Sequence, residues 1–214
     1  MAPDDFYASP FGVAYSAYME RPWLSRLISR IVWGGDSGPY YESMAAIGEV
    51  PEGGVIVDCP CGAGAAFRAL DAAAPVRYLA FDLSPAMLRR ARRRAGKRRL
   101  AAVELGRADA TRLPVQSEVA DLFLSYWGLH CFEEPEAALR EASRVLRPGG
   151  RLVGSAFLKG DDSRRQRTLV RDGLGDFGRV GTQEEVTAWI EAAGFRLGRT
   201  ERSGPMFFFA ATAA

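Results

Sequence analysis

The feature that most constrains this chain is a short β-branched run that ends at an acidic residue and opens into a turn of small residues. The run is Val55-Ile56-Val57-Asp58, and the turn is Cys59-Pro60-Cys61-Gly62-Ala63-Gly64. A continuous run of this kind is typical of a buried strand in a parallel sheet. We predict that a helix follows over residues 64–73. Because the two glycines let a ligand approach the backbone and a helix N-terminus offers unpaired N–H groups, we expect a polar, partly anionic ligand across this turn.

Strand-like and helix-like segments alternate from residue 54 onward. The pattern predicts strands over 54–59, 77–82, 100–105, 119–126 and 150–157, with further helices over 85–95 and 134–146. Such alternation indicates a parallel sheet with right-handed crossovers and a ligand site at the carboxyl ends of the strands. The predicted fold class is therefore α/β, a Rossmann-like, doubly wound and mostly parallel sheet of seven strands.

The end of the chain predicts a helix followed by a hairpin. Thr182 and Glu185 form a capping-box pattern at the start of a helix over 182–193, and Gly194 is its C-cap. Two apolar runs, 195–201 and 205–211, follow with only three residues between them. So short a connection makes them antiparallel, and we expect the sheet to end in this hairpin.

The beginning of the chain differs from the rest. Residues 1–48 predict a helical appendage, and residues 49–214 predict a core with an insertion at about 158–181. The aromatic residues of the appendage include Tyr7, Phe11, Tyr15, Tyr18, Trp23 and Trp33, and a glycine-rich loop, 34–39, follows them. They are either ordinary packing residues or a mobile lid that excludes water from a site, and both interpretations stay open.

Composition bounds the remaining possibilities. The chain has 214 residues, 48% hydrophobic and 25% charged, which is enough for one soluble domain with a core. We expect a cytoplasmic protein without membrane insertion, because no run approaches membrane-spanning length and no basic, then apolar, leader opens the sequence. The three cysteines and one histidine lack the spacing of a zinc site, so we expect free thiols and no metal.

Three acidic residues follow successive predicted strands. Asp58 ends the first strand, Asp82 ends the second, and Asp109 follows the third. At the carboxyl edge of a parallel sheet they would converge on one crevice, where a cationic or donor-rich ligand would offset their repulsion. Asp82 stands before a helix that Ser84 caps and Pro85 opens, a position suited to accepting hydrogen bonds from both hydroxyls of a ribose.

With these residues the chain resembles the class I S-adenosylmethionine-dependent methyltransferases, in the small-molecule group of the ubiquinone and menaquinone C-methyltransferases. The resemblance covers about residues 54–157 in order and spacing. The matching segments are VDCPCGAG at 57–64, FDLSPAML at 81–88, ADATRLP at 108–114, ADLFLS at 120–125 and EASRVLRPGG at 141–150. The appendage and residues 158–181 lie outside it, and we expect those parts to choose the acceptor.

The resemblance implies S-adenosylmethionine as cofactor, S-adenosylhomocysteine as product and a role for each matching position. Residues that match the family's cofactor-binding positions are Asp58, Cys59, Gly62 and Gly64 around the methionine moiety, Asp82 at the ribose, Leu83, Met87, Asp109 and Ala110 at the adenine, and Ser125 and Tyr126 beside the sulfonium. Trp127 would lie there as well, near the acceptor. An N-terminal tyrosine, here Tyr15, would reach over the cofactor as part of a lid.

One residue departs from the family pattern. Pro60 stands where a glycine is usual, which removes an N–H group and fixes φ. We expect the turn to tolerate it, because Gly62 and Gly64 keep the close-approach positions. Pro60 and the lack of an evident base leave open a module that binds S-adenosylmethionine or its product without catalysis. A dinucleotide oxidoreductase is less favoured, because its G-x-G-x-x-G pattern needs a small residue at Phe67.

The predicted reaction moves a methyl group to a small, apolar or aromatic acceptor by in-line displacement. His130 and Tyr126 are the candidate catalytic acid-base residues, needed if the acceptor is a phenol. His130 could instead only cap a helix. Neither the acceptor atom nor the oligomeric state, monomer or homodimer, follows from the residues.

Two basic clusters need an explanation. The run 89–99 ends a predicted helix, where cations complement the helix dipole, and it has no interleaved aromatics, so we do not predict nucleic-acid binding. The second cluster, Arg164, Arg165, Arg167 and Arg171, lies in the predicted insertion. It either attracts an anionic acceptor or serves solubility.

Overall fold

A computed structural model describes residues 18–19, 21–159 and 178–214 of the chain. Its centre is a seven-stranded sheet with the strand order β3-β2-β1-β4-β5-β7-β6. The strands are β1 Val55–Asp58, β2 Arg77–Asp82, β3 Val103–Arg107, β4 Ala120–Tyr126, β5 Leu146–Phe157, β6 Phe195–Ser203 and β7 Met206–Ala213. Strands β1 to β5 pair in parallel, and β7 is antiparallel to both β5 and β6. The predicted α/β class and the closing hairpin are confirmed.

Five α-helices accompany the sheet in the described residues. They are α1 Pro22–Ile28, which continues as a π-helical turn Ser29–Trp33, α2 Gly38–Ser43, which continues as a 3₁₀ turn Met44–Glu49, α3 Pro85–Arg98, α4 Pro135–Val145 and α5 Gln183–Ala192. The Ser84 side chain caps α3, and Thr182 with Glu185 forms the predicted capping box of α5. These local signals were strong enough to predict where both helices begin.

The core has two layers because successive strand residues point to opposite faces of the sheet. On one face Phe123 of β4 packs with Leu139 of α4 and Ile190 of α5. On the other face the neighbouring Leu122 and Leu124 pack in a cluster that includes residues of α2 and α3. Burial on both faces accounts for the near-continuous apolar runs of the central strands.

The N-terminal helices rest against the closing hairpin. The Asp36 N–H donates to Ser203 Oγ at 2.6 Å, and a Cβ on Gly35 would lie 2.2 Å from the Ser203 carbonyl oxygen. The Trp33 ring lies 4.9 Å from the ring of Phe157, at the end of β5. The glycine-rich loop therefore lets the backbone of the appendage approach the hairpin closely.

One predicted element is wrong in type. A helix over 64–73 was expected, and the structure has only a 3₁₀ turn, Ala65–Ala69. Leu70 ends this turn in an extended conformation, and the Asp71 side chain accepts a hydrogen bond from the Ala73 N–H. Pro75, two residues further on, fixes its own φ and lacks an N–H. Local turn chemistry thus outweighs the helix propensity of the alanines.

The described residues contain no helix with both the length and the apolar character needed to cross a bilayer.

Candidate cofactor and acceptor site

The turn after β1 is fixed to both neighbouring strands. The Cys59 N–H donates to the Leu124 carbonyl of β4 at 2.9 Å, and the Cys61 N–H donates to the Phe81 carbonyl of β2 at 2.8 Å. The peptide bond between Cys59 and Pro60 is cis. The turn therefore lies between the carboxyl ends of β1, β2 and β4, where a parallel sheet binds its ligands.

Gly62 and Gly64 have different tasks, although both have positive φ, at 54° and 74°. A Cβ built on Gly64 would lie 2.4 Å from the Phe67 ring, so this glycine allows the turn to pack on its own 3₁₀ segment. A Cβ built on Gly62 meets no atom within 4 Å. Gly62 thus leaves open space beside the backbone, as a site for a closely approaching ligand requires.

Asp82 connects the second strand to this turn. The residue is 7% exposed; its Oδ2 accepts from the Gly62 N–H and its Oδ1 from the Ser84 N–H, each at 2.8 Å. These bonds fix the plane of the carboxylate, and each oxygen can accept a second hydrogen bond. The arrangement suits a vicinal diol, which offers two donors to one carboxylate.

Asp58 lies deeper than Asp82. It is 1% exposed, and its Oδ2 accepts from the Tyr78 hydroxyl at 2.8 Å. Burial raises the pKa of the Asp58 carboxyl, the bond from Tyr78 opposes this shift, and the charge of Asp82 adds to it, so that the pKa lies at about 7. Near neutral pH this carboxyl is therefore divided between its two protonation states.

The third acid, Asp109, is exposed and its Oδ1 accepts from the N–H and the hydroxyl of Thr111, both at 2.8 Å. The charges of Asp82, Asp58 and Asp109 all raise the pKa of the Cys59 thiol, whose largest shift comes from burial. Asp58 directly precedes the turn, Asp82 accepts from the turn's Gly62 N–H, and Asp109 follows Arg107, the residue that pairs with Asp82 in the register of β2 with β3.

The adenine positions implied by the resemblance surround the start of α3 and the loop after β3. Met87 and Ala110 are buried, whereas Leu83 is 59% exposed and is among the few large apolar side chains that are. The exposed Leu83 side chain leaves an apolar surface next to the buried Asp82.

The end of β4 carries two buried polar atoms that are unusual. Ser125 Oγ and Trp127 Nε1 have no hydrogen-bond partner among the residues that the structure describes. Trp127 also has a φ of 56°, which is rare for a large side chain. Each unpaired buried group costs about 1–3 kcal/mol, and such costs are common where a ligand supplies the partner.

Aromatic rings surround the same point. Tyr40 of α2 contacts Tyr126 edge to face at 4.9 Å, and its ring lies 5.7 Å from that of Trp127. Phe157 lies 5.1 Å from Trp127 on the other side. The Tyr126 hydroxyl is within 3.1 Å of Ser43 Oγ, and burial raises its pKa. The phenol is therefore neutral at physiological pH, so Tyr126 acts as a hydrogen-bond donor or acceptor and not as a phenolate.

His130 is buried, and its Nδ1 accepts from the Phe157 N–H at 3.2 Å. In the neutral ring the proton is then on Nε2. Burial lowers the pKa of the imidazole to about 3. A base this weak removes a proton poorly at neutral pH, and the bond from Phe157 gives His130 a structural contact at the end of β5 and not the expected helix cap.

Several predicted residues lie outside the described ranges. They are the lid tyrosine Tyr15 and the arginines Arg164, Arg165, Arg167 and Arg171. The predicted lid and insertion are therefore described only in part.

Sequence reasoning missed three residues that shape the site. Tyr78 contacts Asp58, while Tyr40 and Ser43 contact Tyr126. The near-continuous apolar run of β2 indicates that Tyr78 is buried, but nothing in the sequence pairs it with a carboxylate.

Comparison with known proteins identifies the kind of domain that this chain contains. Residues 57–154 match the family model of the methyltransferase domain. A demethylmenaquinone methyltransferase of Clavibacter sepedonicus is 42% identical over 105 residues, 48% of this chain and 40% of that protein. An uncharacterized chloroplastic methyltransferase of Arabidopsis thaliana is 36% identical over 146 residues, 65% of this chain and 40% of that protein.

The fold is also that of solved methyltransferases. A SAM-dependent methyltransferase from Aquifex aeolicus superposes with a TM-score of 0.65 at 22% identity, over 87% of this chain and 93% of that one. Residues 57–154 are thus a class I S-adenosylmethionine-dependent methyltransferase domain, similar to those of the ubiquinone and menaquinone methyltransferases, and the cofactor of this domain is S-adenosylmethionine. The matches span about two fifths of the length of these two curated relatives.

Proposed function

We propose that this protein transfers the methyl group of S-adenosylmethionine to a small acceptor of apolar or aromatic character. The observation that carries the proposal is the pairing of the Asp82 carboxylate with the Gly62 N–H at 2.8 Å, beside the open face of Gly62. This pairing fixes a diol-binding carboxylate next to a backbone surface that a ligand can approach, as a nucleoside donor requires.

The donor would lie across the carboxyl ends of the first three strands. Asp82 would accept from the ribose hydroxyls, and Asp58 with Gly62 would line the methionine moiety. Cys59 and Gly64 shape the turn beneath them. The exposed side chain of Leu83 and the backbone at Ala110 would contact the adenine, with Met87 and Asp109 beside them.

The acceptor would lie on the β4 side of the donor. The half-buried rings of Trp127 and Phe157 offer apolar surface there, and Ser125 Oγ and Trp127 Nε1 offer polar atoms that need partners. An acceptor with an aromatic or apolar body and an oxygen substituent would satisfy both. Tyr126, a neutral phenol in this layer, would orient that oxygen.

S-adenosylmethionine supplies an electrophilic methyl group on a sulfonium, so the reaction is a displacement that leaves S-adenosylhomocysteine. The acceptor atom must lie in line with the bond between methyl carbon and sulfur, and the protein's main contribution is to hold it there. Correct orientation can contribute about 7–11 kcal/mol. With its low pKa, His130 is not assigned the base, and a proton from the acceptor would leave to solvent.

The appendage would act as the lid of this site, with Tyr15 over the cofactor. Two sets of contacts support this role of the appendage: Gly35 and Asp36 attach its described part to the hairpin, and Tyr40 joins the aromatic layer. We also propose that the protein is cytoplasmic and that its partner is a small molecule. The chloroplast location in the name of the Arabidopsis relative applies to that relative only.

Calorimetric titration with S-adenosylmethionine tests the donor site. Wild type should bind, and Asp82→Asn should lose at least about tenfold in affinity, because hydrogen bonds to a charged acceptor are worth about 1.5–3 kcal/mol. Asp71→Asn is the matched control, since Asp71 is exposed and its Oδ1 accepts a hydrogen bond from the nearby Ala73 N–H. Equal affinity in all three proteins would refute the assignment.

Methyl transfer itself requires a second assay. Donor labelled in the methyl group is incubated with the protein and with phenols, quinols, amines and carboxylates, and the label is followed by mass spectrometry. Transfer to an aromatic, oxygenated acceptor supports the proposal. Tight binding without transfer to any class would favour the alternative, a module that senses the cofactor or its product.

A further inference from the structure

A buried tyrosine, Tyr78, contacts two parts of the proposed donor site. Tyr78 is the second residue of β2 and is fully buried, and its hydroxyl donates to Asp58 Oδ2 at 2.8 Å. Its ring contacts Phe67 edge to face at 5.3 Å, and Phe67 lies under Gly64. One side chain therefore supports both the carboxylate at the end of β1 and the turn that follows it.

The surroundings of Asp58 are largely neutral. The titratable groups that interact with it are Asp82 at the end of β2, Cys59 and Cys61 in the turn, Tyr78 in β2, Tyr126 in β4 and Tyr40 in α2. Burial raises the pKa values of the two thiols and of the three phenols, so these groups stay neutral at physiological pH. Asp82 is the one charged group of this set, and it repels a charge on Asp58.

No cation appears in that set, so the described structure favours the ionised form of Asp58 chiefly through Tyr78. A hydroxyl that donates to a carboxylate stabilises the charged form. A donor molecule with a sulfonium and an ammonium group would supply the missing positive charge. Binding of this donor would then require Asp58 to be ionised, and a proton held by Asp58 would be released to the buffer.

We propose that Tyr78 is a positioning residue for cofactor binding: its hydroxyl shifts Asp58 toward the ionised form that the donor requires, and it thereby sets the pH range over which the protein takes up S-adenosylmethionine. This inference rests on the proposed function, because it assigns Asp58 to the donor site. It assigns to Tyr78 a role in binding and none in the chemical step.

The affinity of wild type for S-adenosylmethionine should rise with pH up to about 7, where Asp58 titrates, and then level off. Tyr78→Phe keeps the ring that packs on Phe67 and removes only the hydroxyl. It should lower the affinity about tenfold or more at pH 6.5, because a lost bond shifts the proton equilibrium of Asp58 by about one unit or more. At pH 8.5 the variant should regain wild-type affinity within a few fold.

The matched control is Tyr41→Phe. The Tyr41 hydroxyl donates to the Met19 carbonyl, outside the donor site, so its removal should leave the affinity and its pH profile unchanged. Asp58→Asn should bind with an affinity that varies with pH only through the ligand's own groups. Comparing variants with one ligand removes that contribution.

The experiment is calorimetric titration of the full chain with S-adenosylmethionine at pH 5.5, 6.5, 7.5 and 8.5, in buffers of different ionisation enthalpy. The expected result is proton release by wild type below pH 7, and a Tyr78→Phe defect that disappears as the pH rises. A defect of equal size at every pH would indicate a merely structural role and overturn the inference. No binding by wild type would refute the proposed function instead.

Discussion

Asp58→Asn should make the unliganded protein more stable in alkaline solution. The Asp58 carboxyl is 1% exposed and its pKa is raised from the usual 3.8 to about 7, chiefly by burial. The folded chain thus holds this proton more tightly than the unfolded chain. Stability is therefore lost as pH rises from about 4 to about 7, because Asp58 must then ionise in a buried position.

The size of the effect follows from the shift. About three pKa units correspond to about 4 kcal/mol, which the folded wild-type protein loses between pH 4 and pH 8. Asparagine has nearly the same shape and stays neutral, and its oxygen can still accept from Tyr78. An amide N–H left without a partner costs about 1 kcal/mol. The variant should be about 1 kcal/mol less stable than wild type at pH 4 and about 3 kcal/mol more stable at pH 8.

Urea unfolding of the unliganded proteins between pH 4 and pH 8 measures this difference. Other titrating groups, His130 included, are common to both proteins and cancel in the difference. Asp71→Asn makes the same substitution at an exposed position and controls for the substitution itself. A free energy difference between Asp58→Asn and wild type that does not change with pH would refute the reasoning.

Three further outcomes are expected. Gly64→Ala should lower the free energy of unfolding, measured with urea, by more than Gly62→Ala does. Both variants place alanine in a left-handed conformation, which costs about 1–2 kcal/mol, and only the Cβ at position 64 also meets the Phe67 ring; equal losses would count against this reasoning. His130→Asn should reduce the loss of stability on acidification, because the buried neutral imidazole costs wild type up to about 5 kcal/mol as pH falls from about 6.5 to about 3. Profiles of unfolding free energy against pH that coincide for the two proteins would contradict the burial of a neutral His130. Trp127→Phe should lower turnover with an oxygenated acceptor while leaving the calorimetric affinity for S-adenosylmethionine unchanged, and an unchanged turnover would remove the indole N–H from the acceptor site.

Local sequence signals predicted the fold well where they act within a few residues. Ser84 and Pro85 predicted the start of α3, and Thr182 with Glu185 predicted that of α5. The short connection after residue 201 predicted the hairpin of β6 and β7. In each case, the chemistry that fixes the backbone is encoded by neighbours in the sequence.

The prediction was wrong where propensity competed with turn chemistry. The alanine-rich segment after Gly64 has the composition of a helix, yet the structure forms a 3₁₀ turn, Ala65–Ala69, that ends at Leu70. An Asx turn at Asp71 and the proline at position 75 close the segment early. Because alanine favours a helix by only a fraction of a kcal/mol per residue, such local bonds decide the outcome.

The site was predictable in its acids and not in their surroundings. The strand ends indicated that Asp58, Asp82 and Asp109 would meet, and the structure brings them around one turn. The partner of Asp58, Tyr78, lies twenty residues away on another strand. Its contact depends on the register of β1 with β2, which no local pattern specifies.

The most direct measurement is an NMR titration of the ¹⁵N-labelled protein with S-adenosylhomocysteine, followed at the backbone amides. The Gly62 and Ser84 N–H groups both donate to Asp82, the carboxylate assigned to the ribose. If the nucleoside binds there, these two amides should be among those whose signals shift most, and Asp82→Asn should abolish the shifts. Saturable binding that leaves both amides unmoved would contradict the assigned site.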